Sequence, residues 1–421
     1  MRKMRDSGVA WIGDVPEGWG MTTVKRIYEK VKSKAHQDNP VVLSLARSGV
    51  HVRNMESALG QFAESYFDYN PVLPGDLLLN PMDLYSGANC SISEVAGVIS
   101  PAYVNLRPIA DVNSIFYDYY FKVQYWTMAF FAHGSGVSFD NRWTLTSSAL
   151  RNFPVVLPPK PEQDKIATFL KEACADIDSS IGGLCETIGR IKAWKRSYIA
   201  TAVCRGIGKR PELVESGVDW IGKVPKHWRT LRIVNLYREV SERGDDSLPI
   251  LSVSINTGVS DKELSDDEQE RVFIRSEDKT KYKRVQPGDL TYNMMRAWQG
   301  AFGAVRVNGM VSPAYVVARP KVELDSRYME YLMRAPNAMS EIHRYSRGIA
   351  DFRLRLYWPE FKNIRIPCPP LKEQREIADE IDAKCAEADA LISEQEKLIA
   401  DLEVYKKSLI FEVVTGKREV A

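Results

Sequence analysis

Residues Ser7–Pro16, SGVAWIGDVP, recur at Ser216–Pro225 as SGVDWIGKVP, identical at eight of ten positions. Each stretch is followed three residues later by a tryptophan, Trp19 and Trp228. The likeness continues in order. LSLARSGV (Leu43–Val50) matches LSVSINTGV (Leu251–Val259), and PGDLLLNPM (Pro74–Met82) matches PGDLTYNMM (Pro287–Met295). GVISPAYVNLRP (Gly97–Pro108) matches GMVSPAYVVARP (Gly309–Pro320), PPKPEQDKIATFL (Pro158–Leu170) matches PPLKEQREIADEI (Pro369–Ile381), and WKRSYI (Trp194–Ile199) matches YKKSLI (Tyr405–Ile410). The offset stays between 208 and 213 across all 421 residues. Self-similarity on this scale constrains the fold more than any compositional figure, because each copy needs a core of its own.

Each copy has two parts. The first, about 150 residues, mixes short β-branched runs (Val41–Leu45, Val95–Ser100, Val311–Ala318) with turn residues, a strand-rich α/β pattern. PGD before an apolar run reads as a turn feeding a strand. The second part begins abruptly after a proline pair. From Glu162 to about Val203, apolar residues fall at Ile166, Leu170, Ala173, Ile177, Ile181, Leu184, Ile188, Ile191, Tyr198 and Ala202. These spacings of threes and fours are the rhythm of a coiled-coil seam. The second copy keeps it from Ile377 to Val413 with two polar interruptions, Lys384 and Gln395. Two helices of about 40 residues follow, each roughly 60 Å long at ~1.5 Å per residue.

Connectivity then limits the arrangement. Only Gly206–Glu215 links the first helix to the second globular part, and only a proline pair separates that part from the second helix. A 150-residue domain has a radius of gyration of about 15 Å and does not bridge ~60 Å. The helices are therefore expected to run antiparallel. The expected fold class is α+β (mixed α/β): two similar globular domains, 1–157 and 216–368, held apart by long helices 158–205 and 369–415, with a linker at 206–215 and a pseudo-twofold internal repeat.

Composition excludes some classes. No apolar run is long enough to cross a bilayer, and the N-terminus lacks the apolar core of a secretory signal. The six cysteines show no CxxC spacing and no histidine cluster, which reads as reduced thiols of a cytoplasmic protein without a zinc site. A net charge of +2 tolerates nucleic-acid binding without suggesting it. The geometry suggests more: a rigid separator between related domains suits a partner offering two sites at a fixed distance, and DNA half-sites on one face recur about every 34–36 Å.

The doubled SGVxWIGxVPxxW opening, the PGDL…SPAY core and the PP…EQ…IA helix starts with their basic tails together resemble the specificity subunit of type I restriction–modification systems. The resemblance covers nearly the whole chain. It implies that the globular parts are target-recognition domains reading double-stranded DNA and that the helices space them. It further implies a subunit without catalytic activity that docks two modification (methyltransferase) subunits and, through them, the restriction subunits. S-adenosylmethionine, ATP and Mg would then belong to the partners, with no cofactor on this chain.

A DNA methyltransferase with a built-in recognition domain is the contrasting, enzymatic reading. An amino-methyltransferase needs an (Asp/Asn)-Pro-Pro-(Tyr/Phe) loop and a glycine-rich cofactor loop. NPMD at Asn80–Asp83 lacks the second proline and the aromatic, and its counterpart NMMR (Asn293–Arg296) loses the first proline too. The five histidines are scattered, with no HExxH. A structural adaptor that spaces two proteins without touching DNA is the other alternative. The acidic run Asp261–Glu270 reads as a solvated loop.

Where the repeat keeps its frame and changes its content, readers of sequence are expected. After PGDL come LYSGANCS (Leu84–Ser91) and RAWQGAFG (Arg296–Gly303), which nominate Ser86 and Asn89 in one copy and Arg296 and Gln299 in the other. Asn and Gln suit adenine and Arg suits guanine in the major groove. A second pair of loops offers Arg47, His51 and Arg53 against Asn256 and Thr257. A third, Gly134–Trp143 against Ser346–Arg355, offers Arg142, Arg347, Arg353 and Arg355 for phosphates or bases. The shared tryptophans of the opening read as packing or partner-facing anchors.

Overall fold

The computed structural model describes residues 2–54, 63, 65–85, 87, 89–136, 143–208, 211–245, 247–262, 281–348 and 353–420. The chain divides into two compact units, Met1–Leu184 with Lys397–Ala421, and Cys185–Glu396. Strands and helices alternate throughout, so the fold mixes both classes.

In the first unit the opening motif is the turn of a hairpin, Met4–Asp6 pairing antiparallel with Asp14–Pro16. Its glycines Gly8 and Gly13 hold φ of 74° and 68°, a region only glycine enters without strain. A four-stranded antiparallel sheet follows in the order Tyr28–Lys30, Val104–Pro108, Leu77–Leu79, Cys90–Ile92. The PGD turn feeds its third strand. Gly75 takes φ 90°, and the Asp76 carboxylate accepts the Leu73 N–H at 2.9 Å, closing the turn. The same carboxylate receives Arg107 in a fork, Nε at 2.8 Å and Nη2 at 2.7 Å, and Asn105 Nδ2 at 3.0 Å. PGD and the Asn-Leu-Arg-Pro of the neighbouring strand are thus two halves of one ion pair, whose carboxylate is buried and whose guanidinium is partly exposed. Helix Ser114–Trp126, capped by Asn113, then covers the sheet and buries Phe116, Tyr117, Tyr120 and Phe121.

The second unit carries the same succession. Leu213–Glu215 pairs with Lys223–Pro225, and the four-stranded sheet runs Tyr237–Val240, Tyr315–Pro320, Leu290–Asn293, Phe302–Ala304. Gly288 has φ 93°, Asp289 accepts the Gln286 N–H at 3.0 Å, and Arg319 forks onto Asp289 with both nitrogens at 3.0 Å. Helix Ser326–Arg334, capped by Asp325, covers this sheet. The run Val311–Ala318, a single β-branched stretch in the sequence, is divided: strands Gly309–Val311 and Tyr315–Pro320 flank a turn closed by the Tyr315 N–H on Ser312 O at 2.9 Å. Pro313, which has no N–H to give a ladder, sits in that turn.

The long helices span Lys160–Arg205 and Leu371–Val414. Every position of the apolar rhythm is buried or half-buried. Their starts are fastened to the globular parts by the repeated residues. Gln163 Nε2 donates to Pro158 O at 2.8 Å while its Oε1 accepts the Asn113 N–H at 2.9 Å. Gln374 does likewise with Pro369 O (2.9 Å) and the Asp325 N–H (3.0 Å). Trp19 Nε1 donates to Glu162 at 2.9 Å, and Trp228 Nε1 to Glu373 at 3.0 Å. The shared tryptophans Trp19 and Trp228 are therefore anchors between opening and helix.

Within each unit the two helices run in opposite directions. In the first unit, Glu162 lies by Trp19, which Gly416 also approaches, and further along Lys406 bonds Asp178 at 2.6 Å. In the second, Lys195 bonds Asp389 at 2.6 Å, and Gly206, eleven residues on, lies against Glu373. Because Gln374 is almost fully buried, Gln374→Ala strands a buried carbonyl and an N–H. It is expected to cost about 1–3 kcal/mol, read as a lowered denaturant midpoint.

Candidate nucleic-acid interface

In both units the described residues in and beside the three variable segments meet through equivalent contacts. In the first unit the hairpin Leu43–Ala46/Gly49–Val52 leans on the strand that leaves the loop Leu84–Ser91. A Cβ built on Gly49 would stand 3.6 Å from Ser91 Oγ, and the Arg47 Nε lies 3.8 Å from the Cβ position of Gly87. The third segment joins through the Leu145 N–H on Pro81 O at 2.8 Å, next to the antiparallel bridge Ser135–Thr144 that closes its base. In the second unit the hairpin Val253–Ser254/Gly258–Val259 packs on Gly303, whose Cβ would collide with Val259 N. The Leu356 N–H meets Met294 O at 2.9 Å, and the bridge Arg347–Arg355 closes the third base.

Arg47 is exposed at the hairpin tip, and His51 is exposed with Nε2 2.8 Å from Ser48 Oγ. Arg53 is half-buried, its N–H on Val42 O. Asn89 is half-buried: its backbone carbonyl accepts the Asn80 N–H at 2.9 Å, and its Oδ1 is buried with no hydrogen-bond partner among the described residues. Ser86 and Arg142 lie outside the described residues, as do residues 263–270 of the acidic run. Tyr85, in the same loop, is 72% exposed, and sequence reasoning passed over it because it sought amides and cations.

In the second unit Asn256 and Thr257 are exposed at the hairpin turn. Arg296 and Gln299 are half-buried, Arg296 capping the short helical turn Ala297–Gln299 that Gln299 ends, with the Gln299 N–H on Arg296 O at 3.0 Å. Burial pushes the Tyr315 phenol up, and the positive charge of Arg296 opposes that shift. Arg347, Arg353 and Arg355 line one groove with Met295 and Tyr357, and Arg347 is anchored to Glu360 at 2.6 Å. Three guanidinium groups beside an exposed methionine and tyrosine suit a phosphate-bearing, base-bearing ligand.

The loop that most resembled a methyltransferase motif is structural. Asn80 Oδ1 accepts the Met82 N–H at 3.0 Å, and Asn293 Oδ1 accepts the Met295 N–H at 3.0 Å. These are Asx-turns that launch the variable loops. Among the described residues no group of three His, Cys, Asp or Glu could hold a metal ion, and no helix is long and apolar enough to cross a membrane.

No family model matches the chain. It is 22% identical over 395 residues to the type I restriction enzyme EcoBI specificity subunit of Escherichia coli, covering 88% of this chain and 80% of that protein. It is 23% identical to the MjaVIII specificity subunit of Methanocaldococcus jannaschii, covering 64% and 63%. Among solved structures, one from work on assembly and conformational transition of the type I R-M system covers 96% of this chain and 99% of its own, at 15% identity and a TM-score of 0.68. The HsdS subunit from Thermoanaerobacter tengcongensis covers 96% and 98%, at 16% identity and a TM-score of 0.53. The chain has the HsdS fold. The resemblance carried by the doubled opening, the PGDL…SPAY core and the helix starts is thus a resemblance to type I specificity subunits. Within those motifs Asp76 and Asp289 hold the ion pairs with Arg107 and Arg319, and Trp19, Trp228, Gln163 and Gln374 anchor the helix starts.

Proposed function

We propose that this chain is the non-catalytic, sequence-reading subunit of a type I restriction–modification complex, with one head for each half of a split, asymmetric DNA target. The observation that carries the reading is the convergence, in each unit, of three segments whose frame is shared and whose content differs. Shared frame with unlike loops is what two different half-sites require. Arg47, His51, Arg53, Ser86, Asn89 and Arg142 serve one half-site. Asn256, Arg296, Gln299, Arg347, Arg353 and Arg355 serve the other. The heads are 1–157 and 216–368, the helices 158–205 and 369–415 form the spacer, and 206–215 links them. Opposed helices give the spacer a pseudo-twofold axis, which suits two identical modification subunits docking one on each side. The restriction subunits join through them, and S-adenosylmethionine, ATP and Mg are held by those partners.

Methylome sequencing of cells carrying the chain with its modification subunits is expected to return two unlike half-sites at a fixed separation. A single contiguous target would end this reading. Binding of the assembled complex to random duplex should weaken with salt, at a slope of about −0.9 per phosphate contact. Binding to neither random nor selected duplex would favour the protein adaptor.

A further inference from the structure

Beneath the hairpin turn of the second unit lies an ion pair that no variable loop contributes. Glu330 and Arg334 are one turn apart on helix Ser326–Arg334 and bond at 2.8 Å. Glu330 is buried, and its Oε2 also accepts the Ala304 N–H at 2.9 Å, which ties the pair to the strand leaving loop Arg296–Gly303. The second terminal nitrogen of Arg334 reaches outward. It donates to Ile255 O at 2.9 Å and to Asn256 O. Those carbonyls belong to the turn that exposes Asn256 and Thr257. Gly258, at φ 76°, sits so near that a Cβ there would collide with Glu330 Oε1. The backbone of the turn is thus held from below while its side chains face outward.

The first unit has the counterpart pair with a different cation. Asp118 and Lys122, on helix Ser114–Trp126, bond at 2.7 Å, and Asp118 lies beside Cys90 of the matching strand. The buried carboxylate–cation pair is therefore part of the shared frame. A lysine ends in one nitrogen, whereas the planar arginine fork holds the carboxylate with one nitrogen and the turn with the other.

We propose that Arg334 is a positioning residue for DNA reading in the second unit: braced by Glu330, it sets the Asn256–Thr257 turn in register with loop Arg296–Gly303. This rests on the DNA-reading function proposed above. The variant Arg334→Lys keeps the ion pair in the form that the first unit already uses, and it removes the fork that holds the turn. Assembled with the modification subunits, it is expected to methylate sites with the original first half-site and spacing but with one or more degenerate positions in the second half-site. Binding to the cognate duplex should weaken about fivefold to tenfold, the scale of one typical net hydrogen bond felt indirectly through the turn, while the thermal midpoint stays within ~2 °C. A second half-site unchanged at every position, with affinity within about twofold of the parent, would overturn the proposal. So would equal losses at both half-sites with a lowered midpoint, which would mark a purely structural role. A parent complex that returns no split target would refute the DNA-reading function itself, and that result appears in the parent arm alone.

Discussion

Asp289→Ala is expected to destabilise the second unit by about 3–5 kcal/mol, the cost of breaking a buried ion pair from one side. Asp289 is fully buried and bonds three groups: the Gln286 N–H, which closes the PGD turn, and two nitrogens of Arg319. Without it the turn keeps its backbone bond from residue 289 N–H to Gln286 O but loses the side-chain half of its closure, and Arg319, itself nearly buried, keeps among the described residues only Glu242 as a charged partner. The loss is a large share of the roughly 5–15 kcal/mol that a domain commands. Removing both charges should cost less, because Met at position 319 fills the space without stranding a guanidinium. Asp289→Ala/Arg319→Met is therefore expected to be more stable than Asp289→Ala alone. Denaturant unfolding followed by circular dichroism decides the matter. A single variant within about 1 kcal/mol of the parent would contradict the role assigned to the pair. Asp76→Ala probes the same design in the first unit, where Arg107 is more exposed and has water to turn to, so a smaller loss is expected.

That pair also shows what the sequence discloses and what it withholds. The repeat marks PGD and the arginine–proline that follows SPAY as frame, yet nothing in their spacing says that Asp76 meets Arg107 or that Asp289 meets Arg319. The long helices were legible because a proline pair forces a start and a three–four rhythm demands a buried seam. Helix Ser114–Trp126 was not. Its Ile, Phe, Tyr and Val residues favour strands, and burial against the sheet, with Asn113 as cap, overrides that preference. At the candidate site, comparison of the two copies located the loops, because frame and content separate cleanly there. It did not disclose that the loops converge, since Leu145 meets Pro81 and Leu356 meets Met294 across some sixty residues of chain. Asn89 was nominated on residue type alone, and nothing in the sequence signals that its side-chain oxygen is buried. Arg334 escaped notice for the converse reason: it sits in a frame helix, and its contact with the Asn256 turn exists only in three dimensions.

Inserting four residues into each long helix, between Glu186 and Thr187 and between Lys397 and Leu398, is expected to abolish methylation at the original target and create a new one. Four helical residues add about 6 Å. Base pairs rise ~3.4 Å, so the tolerated separation between half-sites should lengthen by about two base pairs. The half-sites themselves should not change, because the added residues lie far in sequence from every loop and from the anchors at Trp19, Glu162, Trp228 and Glu373. Both helices must be lengthened together. An insertion in one alone shifts its seam past its neighbour's and exposes residues such as Ile188 and Ile392, so that single insertions should lower stability more than the paired one. Selection from random duplex, or a methylome, reads the spacing directly. Recovery of the original spacing with the paired insertion would mean that the helices do not set the distance between the heads.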